Sequence, residues 1–115
     1  MKKFFKSFVY ALKGLWSAIS DQRNVKVQLL VAIIVVGAGA YLRITSVEWC
    51  LILLCIALVI GLELVNTAIE NLVDLVTLER NPLAGKIKDI AAGAVLLASI
   101  ISLVVGLIIF RKYLV

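Results

Sequence analysis

The chain has 115 residues, 63% of them hydrophobic, a net charge of +5 and a mean hydropathy of +1.13. A soluble domain is closer to half apolar, so an excess gathered into long runs points to lipid rather than to a water-soluble core. The basic balance is no nucleic-acid signal: Lys2, Lys3, Lys6, Lys13, Arg23 and Lys26 lie before the first span, where basic residues anchor a helix against anionic headgroups, and no recognition motif accompanies them.

There is no histidine, and the two cysteines, Cys50 and Cys55, sit in an apolar run without a CxxC. That excludes a structural zinc or haem site and makes both cysteines small hydrophobes. A cleavable leader is not expected, because Lys6, Ser7 and Lys13 interrupt the stretch from Phe4 to Trp16.

In residues 3–20, Phe4, Phe8, Leu12, Leu15 and Ile19 recur at helical steps, with Lys3, Lys6 and Lys13 mostly off that stripe. This predicts an amphipathic helix lying in the membrane interface. Leu29 to Leu42 is apolar throughout and, extended back to Val25, approaches the ~20 residues a span needs. Gly37, Ala38, Gly39 and Ala40 in it allow close approach of a neighbouring helix. Arg43 to Glu48 reads as a short polar turn. Trp49 to Leu62 is the second apolar run, with Trp49 as an interfacial anchor, and its helical periodicity continues to about Val76.

Thr77 to Gly85 holds the only proline, Pro82, and reads as a loop. Ile90 to Phe110 carries no charge over 21 residues and is the clearest span. The expected architecture is an all-α membrane protein of one domain over residues 1–115. It has a surface helix over about 3–20 and spans over about 26–43, 48–76 and 86–111. The basic N-terminal segment and the loop bearing Arg80, Lys86 and Lys88 place the N-terminus in the cytoplasm, although Arg111 and Lys112 then lie outside, against the bias.

Chemistry concentrates in Glu63-Leu-Val-Asn66-Thr67-Ala-Ile-Glu70-Asn-Leu-Val-Asp74. At 100° per residue, Glu70 and Asp74 lie within about 20° of Glu63, flanked by Asn66 and Thr67. The acidic stripe prolongs a transmembrane helix by about 16 Å. A carboxylate facing lipid costs at least ~2.5 kcal/mol, so the stripe calls for a cation, a metal or a watery cleft. The bland alternative, a solvated helix end, suits Asp74 better than Glu63, which directly follows fourteen apolar residues. A bundle this thin is also expected to need oligomerisation to shield such groups. Lys88 and Asp89, with Lys86 and Arg80 nearby, add ammonium groups suited to phosphates, beside carboxylates suited to a hard cation. Gly85-Lys86 is not a P-loop.

The segment from Glu63 to Asp74 closely resembles the signature of the prokaryotic integral-membrane diacylglycerol kinase family. Lys88-Asp89-Ile-Ala-Ala-Gly-Ala-Val-Leu-Leu resembles its second block, and Tyr10-Ala-Leu-Lys13-Gly14-Leu15 its surface helix. The resemblance implies transfer of the γ-phosphoryl group of ATP, with Mg²⁺, to a lipid hydroxyl in the bilayer of the bacterial cell membrane. It also implies a homotrimer with composite sites between protomers. Under it, Glu63 is the general base and Asn66 positions the reacting groups. Glu70 is a Mg²⁺ ligand in contact with the nucleotide, and Lys88, Asp89 and Tyr10 are nucleotide-contacting positions. The family's second metal-binding glutamate is replaced by Gln22, which offers a carbonyl oxygen and no charge. Arg80-Asn81-Pro82-Leu83-Ala84-Gly85 and Ala91-Ala92-Gly93 resemble the Gram-positive branch, which implies undecaprenol ahead of diacylglycerol as the acceptor.

Two alternatives stand beside this. A small multidrug transporter needs four spans and a lone midplane carboxylate, against three spans and a clustered stripe here. A catalytically impaired oligomer of the kinase fold is motivated by Gln22.

Overall fold

The computed structural model describes residues 1–115 as four α-helices and no strand. They are α1 (Lys2–Asp21), α2 (Arg23–Leu42), α3 (Ser46–Val76) and α4 (Pro82–Leu114). The last three are each long and apolar enough to cross a membrane, as the apolar runs predict. At 1.5 Å per residue, the 31 residues of α3 reach about 46 Å and the 33 of α4 about 50 Å. Both exceed a hydrocarbon core of about 30 Å, which takes up about 20 residues of a helix, so the last turns of α3 extend past a core that begins near Trp49.

α4 packs along α3 most extensively, α2 packs on α3, and α1 touches both α2 and α3. Ten of the 115 residues are buried. Most Leu, Ile and Val side chains of the spans therefore face outward, the arrangement a lipid solvent permits and water does not. A small core of Ile44, Ile52 and Ile109, ringed by Trp49, Phe110 and Tyr113, lies at the end of the bundle away from Glu63. No residue of α1 is buried; Phe4, Phe8, Leu12 and Leu15 are exposed along it.

The connections follow from local chemistry. Gln22 alone separates α1 from α2, in extended backbone (φ −103, ψ 116). α2 ends on Arg43 in the left-handed conformation (φ 54, ψ 55), and the Arg43 and Ile44 amides both donate to the Gly39 carbonyl. A Cβ on Gly39 would sit 3.0 Å from both Ile44 Cδ1 and Trp49 Cη2, so glycine is what lets the indole lie against α2.

Two boundaries correct the expectations. The polar turn expected over Arg43–Glu48 ends at Thr45, and Glu48 belongs to α3. The Glu48 amide donates to Thr45 Oγ1 at 3.2 Å and the Thr45 amide to Glu48 Oε1 at 2.9 Å, a reciprocal capping box. The loop expected over Thr77–Gly85 closes at Asn81. Asn81 Oδ1 accepts from the Leu83 and Ala84 amides at 2.9 and 3.3 Å, and Pro82 takes the first helical position, where its missing N–H costs nothing.

Candidate active site

Burial along the polar stripe of α3 falls off toward the C-terminus of the helix. Glu63 is 4% exposed and Asn66 is 7% exposed. Glu70 is half-buried and Asp74 is exposed. The expectation that one thin bundle could not shield Glu63 is therefore corrected: its own chain covers it. Glu70 is covered only in part.

Three polar contacts tie the stripe to its surroundings. Asn24 Nδ2, in the first turn of α2, donates to Glu63 Oε1 at 3.3 Å. Asn66 Nδ2 donates to Glu70 Oε1 at 3.1 Å. Lys88 Nζ, in α4, lies 2.6 Å from Asp74 Oδ1. Each carboxylate thus has one oxygen engaged. Asn66 Oδ1 is buried and has no hydrogen-bond partner, an acceptor held where water would otherwise compensate it.

The remaining expected residues are spread around this stripe. Gln22 is half-buried at the α1–α2 break. With Asp21, Ser17, Thr67 and Asn71 it lines a cleft of about 540 Å³ between α1 and α3. Tyr10 is exposed on α1, 5.9 Å by its ring centroid from Lys13 Nζ. Asp89 is exposed, next to Lys88. The fold therefore sets Glu63, Asn66 and Glu70 along one face of α3, and Lys88 of α4 meets that face at Asp74. Gln22 faces a neighbouring stretch of α3, Thr67 and Asn71, and no contact joins it to Glu70; Tyr10 and Asp89 lie on the surface beyond.

Sequence reasoning missed two groups. Asn24 lies among polar residues just after Gln22 and Arg23, and nothing local pairs it with a residue of α3. The other group closes the far end of the bundle. Glu48, 6% exposed, lies 2.6 Å by Oε2 from Lys112 Nζ and accepts a hydrogen bond from the Tyr113 hydroxyl. The opposite charges of Glu48 and Lys112 were visible as signals; their pairing required knowing that α3 and α4 run antiparallel over their full length.

Comparison with known proteins agrees with this arrangement. Residues 9–110 match the family described as prokaryotic diacylglycerol kinase. Undecaprenol kinase of Bacillus subtilis (strain 168) is 43% identical over 110 residues, covering 96% of this chain and 89% of that protein. Diacylglycerol kinase of Synechocystis is 41% identical over 101 residues, covering 87% of this chain and 58% of that longer protein. Diacylglycerol kinase of Escherichia coli (strain K12) is 27% identical over 111 residues, covering 96% of this chain and 91% of that one. A match over nearly the whole of this chain, including every helix that builds the stripe, leaves the transporter alternative without support, and the chain belongs to the prokaryotic diacylglycerol kinase family.

Proposed function

We propose that this lipid kinase transfers the γ-phosphoryl group of ATP to the hydroxyl of a membrane lipid alcohol, with undecaprenol the favoured acceptor. The observation that carries it is Glu63: a carboxylate 4% exposed where the apolar run of α3 ends, with one oxygen engaged by a neutral amide. Its other oxygen has no hydrogen-bond partner in the chain and is left to face a substrate hydroxyl. Glu63 accepts the lipid hydroxyl proton as that oxygen bonds to the γ-phosphorus, and the bond to the departing ADP breaks. The choice of undecaprenol rests on the Arg80–Gly85 loop, with 43% identity to the Bacillus subtilis undecaprenol kinase beside it; 41% identity to the Synechocystis diacylglycerol kinase makes diacylglycerol the next acceptor.

Phosphoryl transfer demands positioning and charge neutralisation more than covalent chemistry. Asn66, with its unpaired buried Oδ1, offers an acceptor to orient the hydroxyl or a bound water. Lys88 brings an ammonium for phosphate oxygens, with Asp89 and Tyr10 at the edge for the rest of the nucleotide. No three Asp, Glu or Cys side chains converge, so the protein alone forms no closed metal cage. The donor set nevertheless fits Mg²⁺, which is held by one or two carboxylates plus waters and substrate phosphates. Glu70 keeps one oxygen unengaged by Asn66 and would supply one carboxylate ligand, while Gln22 and Asp21, which line the cleft against Thr67 and Asn71 rather than Glu70, would reach the ion only after a side-chain rearrangement. When bound there, the ion neutralises charge on the transferring phosphates.

The basic residues Lys2, Lys3, Lys6, Lys13, Arg23, Lys26, Arg80, Lys86 and Lys88 gather at the Glu63 end, against Arg43, Arg111 and Lys112 at the other. This supports a cytoplasmic N-terminus and a cytoplasmic site, with α1 lying in the interface. The half-exposed Glu70, left without a cationic partner in its own chain, supports assembly as a homotrimer. The test is phosphate transfer from ATP to undecaprenol and to diacylglycerol, each presented in the same vesicles: faster transfer to undecaprenol supports the assignment, and transfer to neither refutes it.

A further inference from the structure

We infer that Asn24 is a positioning residue for Glu63, a role that rests on Glu63 being the base. Asn24 Nδ2 lies 3.3 Å from Glu63 Oε1, and this bond joins the first turn of α2 to the middle of α3. At 4% exposure, Glu63 has little water available to hold its carboxylate. The last torsion of a glutamate is broad and roughly two-fold, so an unheld carboxylate would present either oxygen over a wide arc. Donation from Asn24 fixes the carboxylate plane and occupies Oε1, which leaves Oε2 as the oxygen that receives the hydroxyl proton.

The fold places Asn24 for this. The extended backbone at Gln22 ends α1 and restarts the helix one residue later, which turns the opening of α2 toward α3. Val25, the next residue, is fully buried and anchors that turn. The amide is also suited by its charge. A lysine there would form an ion pair with the base and hold its charge against protonation. An aspartate would place a second carboxylate against it with nothing to donate.

The experiment uses full-length protein in vesicles, with Glu63→Gln, Asn24→Ala, Asn24→Asp and Asn24→Gln assayed against ATP and lipid alcohol. In Asn24→Ala, kcat falls about tenfold or more, since small misplacements of a reacting group are costly. KM for both substrates stays within about twofold, because neither binds Asn24. Asn24→Gln, which keeps the amide on a longer arm, recovers more rate than the isosteric Asn24→Asp. An infrared carboxylate band, assigned as the one lost in Glu63→Gln, shifts in Asn24→Ala while the thermal unfolding temperature does not. A parental kcat in Asn24→Ala, an unshifted band, better recovery by Asp than by Gln, or parallel losses of rate, KM and stability each overturn the inference. Full activity in Glu63→Gln overturns the assignment of the base instead; an inactive Glu63→Gln beside an unimpaired Asn24→Ala overturns only the role of Asn24.

Discussion

Asn66 and Glu70 face each other one helical turn apart, Nδ2 to Oε1 at 3.1 Å, and that bond turns the Asn66 carbonyl oxygen into a buried site with no partner in its own chain. A buried unpaired acceptor costs about 1–3 kcal/mol, a penalty expected at a site kept for chemistry rather than stability.

Asn66→Leu tests that trade. An apolar side chain of similar size removes the unpaired oxygen, so the thermal unfolding temperature in detergent holds or rises. Phosphoryl transfer falls at least about 100-fold, the scale expected when a positioning group is lost. A variant that unfolds more easily and retains its rate would contradict both halves.

The proposed metal site is tested at Gln22. Helix α1 ends at Asp21, and Asp21 lines the same cleft as Gln22. Gln22 stands outside the helix in extended backbone, so the 100° step between neighbours on a helix does not fix how the two side chains are related, and both are candidates for the proposed ligand. Gln22→Glu is expected to lower the Mg²⁺ midpoint for ATP-dependent lipid phosphorylation, because it replaces a neutral dipole with a carboxylate. If Gln22→Glu changes nothing while Asp21→Asn abolishes activity, Asp21 is the ligand. If neither matters, the α1–α2 break holds no metal.

Glu48 bears on stability rather than catalysis. It caps α3 through Thr45 and pairs with Lys112 and Tyr113 of α4. Glu48→Ala removes the cap and both cross-links, and is expected to lower the unfolding temperature by several degrees. Lys112→Met is milder, because the Lys112 side chain is 57% exposed, and pairs so exposed contribute little. Both variants keep kcat. An inactive but stable Glu48→Ala would place this end of the bundle in the reaction.

Assembly is tested by cross-linking in detergent and in bilayers, where a ladder ending at three is expected. The prediction fails if a persistent monomer is fully active, since sites shared between protomers could not then exist.

How much of this was legible before the fold was known depends on the range of the interaction. The spans were legible because runs such as Ile90–Phe110 have only one comfortable solvent. The stripe was legible because Glu63, Glu70 and Asp74 are related by the helical repeat alone. Asn24 was not, because its partner is 39 residues away and on another helix. The start of α4 was misplaced because Asn81-Pro82 resembles a loop, whereas the Asn81 carbonyl and the proline together open a helix. Glu48 was read as part of a turn for the same reason: a capping box uses polar residues to begin a helix.

Glu63→Gln carries the central claim. The substitution keeps the shape of the side chain and its ability to accept from Asn24, and removes only the capacity to hold a proton from the lipid hydroxyl. Measured as phosphate transferred from ATP to undecaprenol in vesicles, with helical content and unfolding temperature matched to the parent, the rate is predicted to fall by more than the roughly 100-fold typical of losing a general base. A folded Glu63→Gln protein that phosphorylates the lipid at the parental rate would contradict the account.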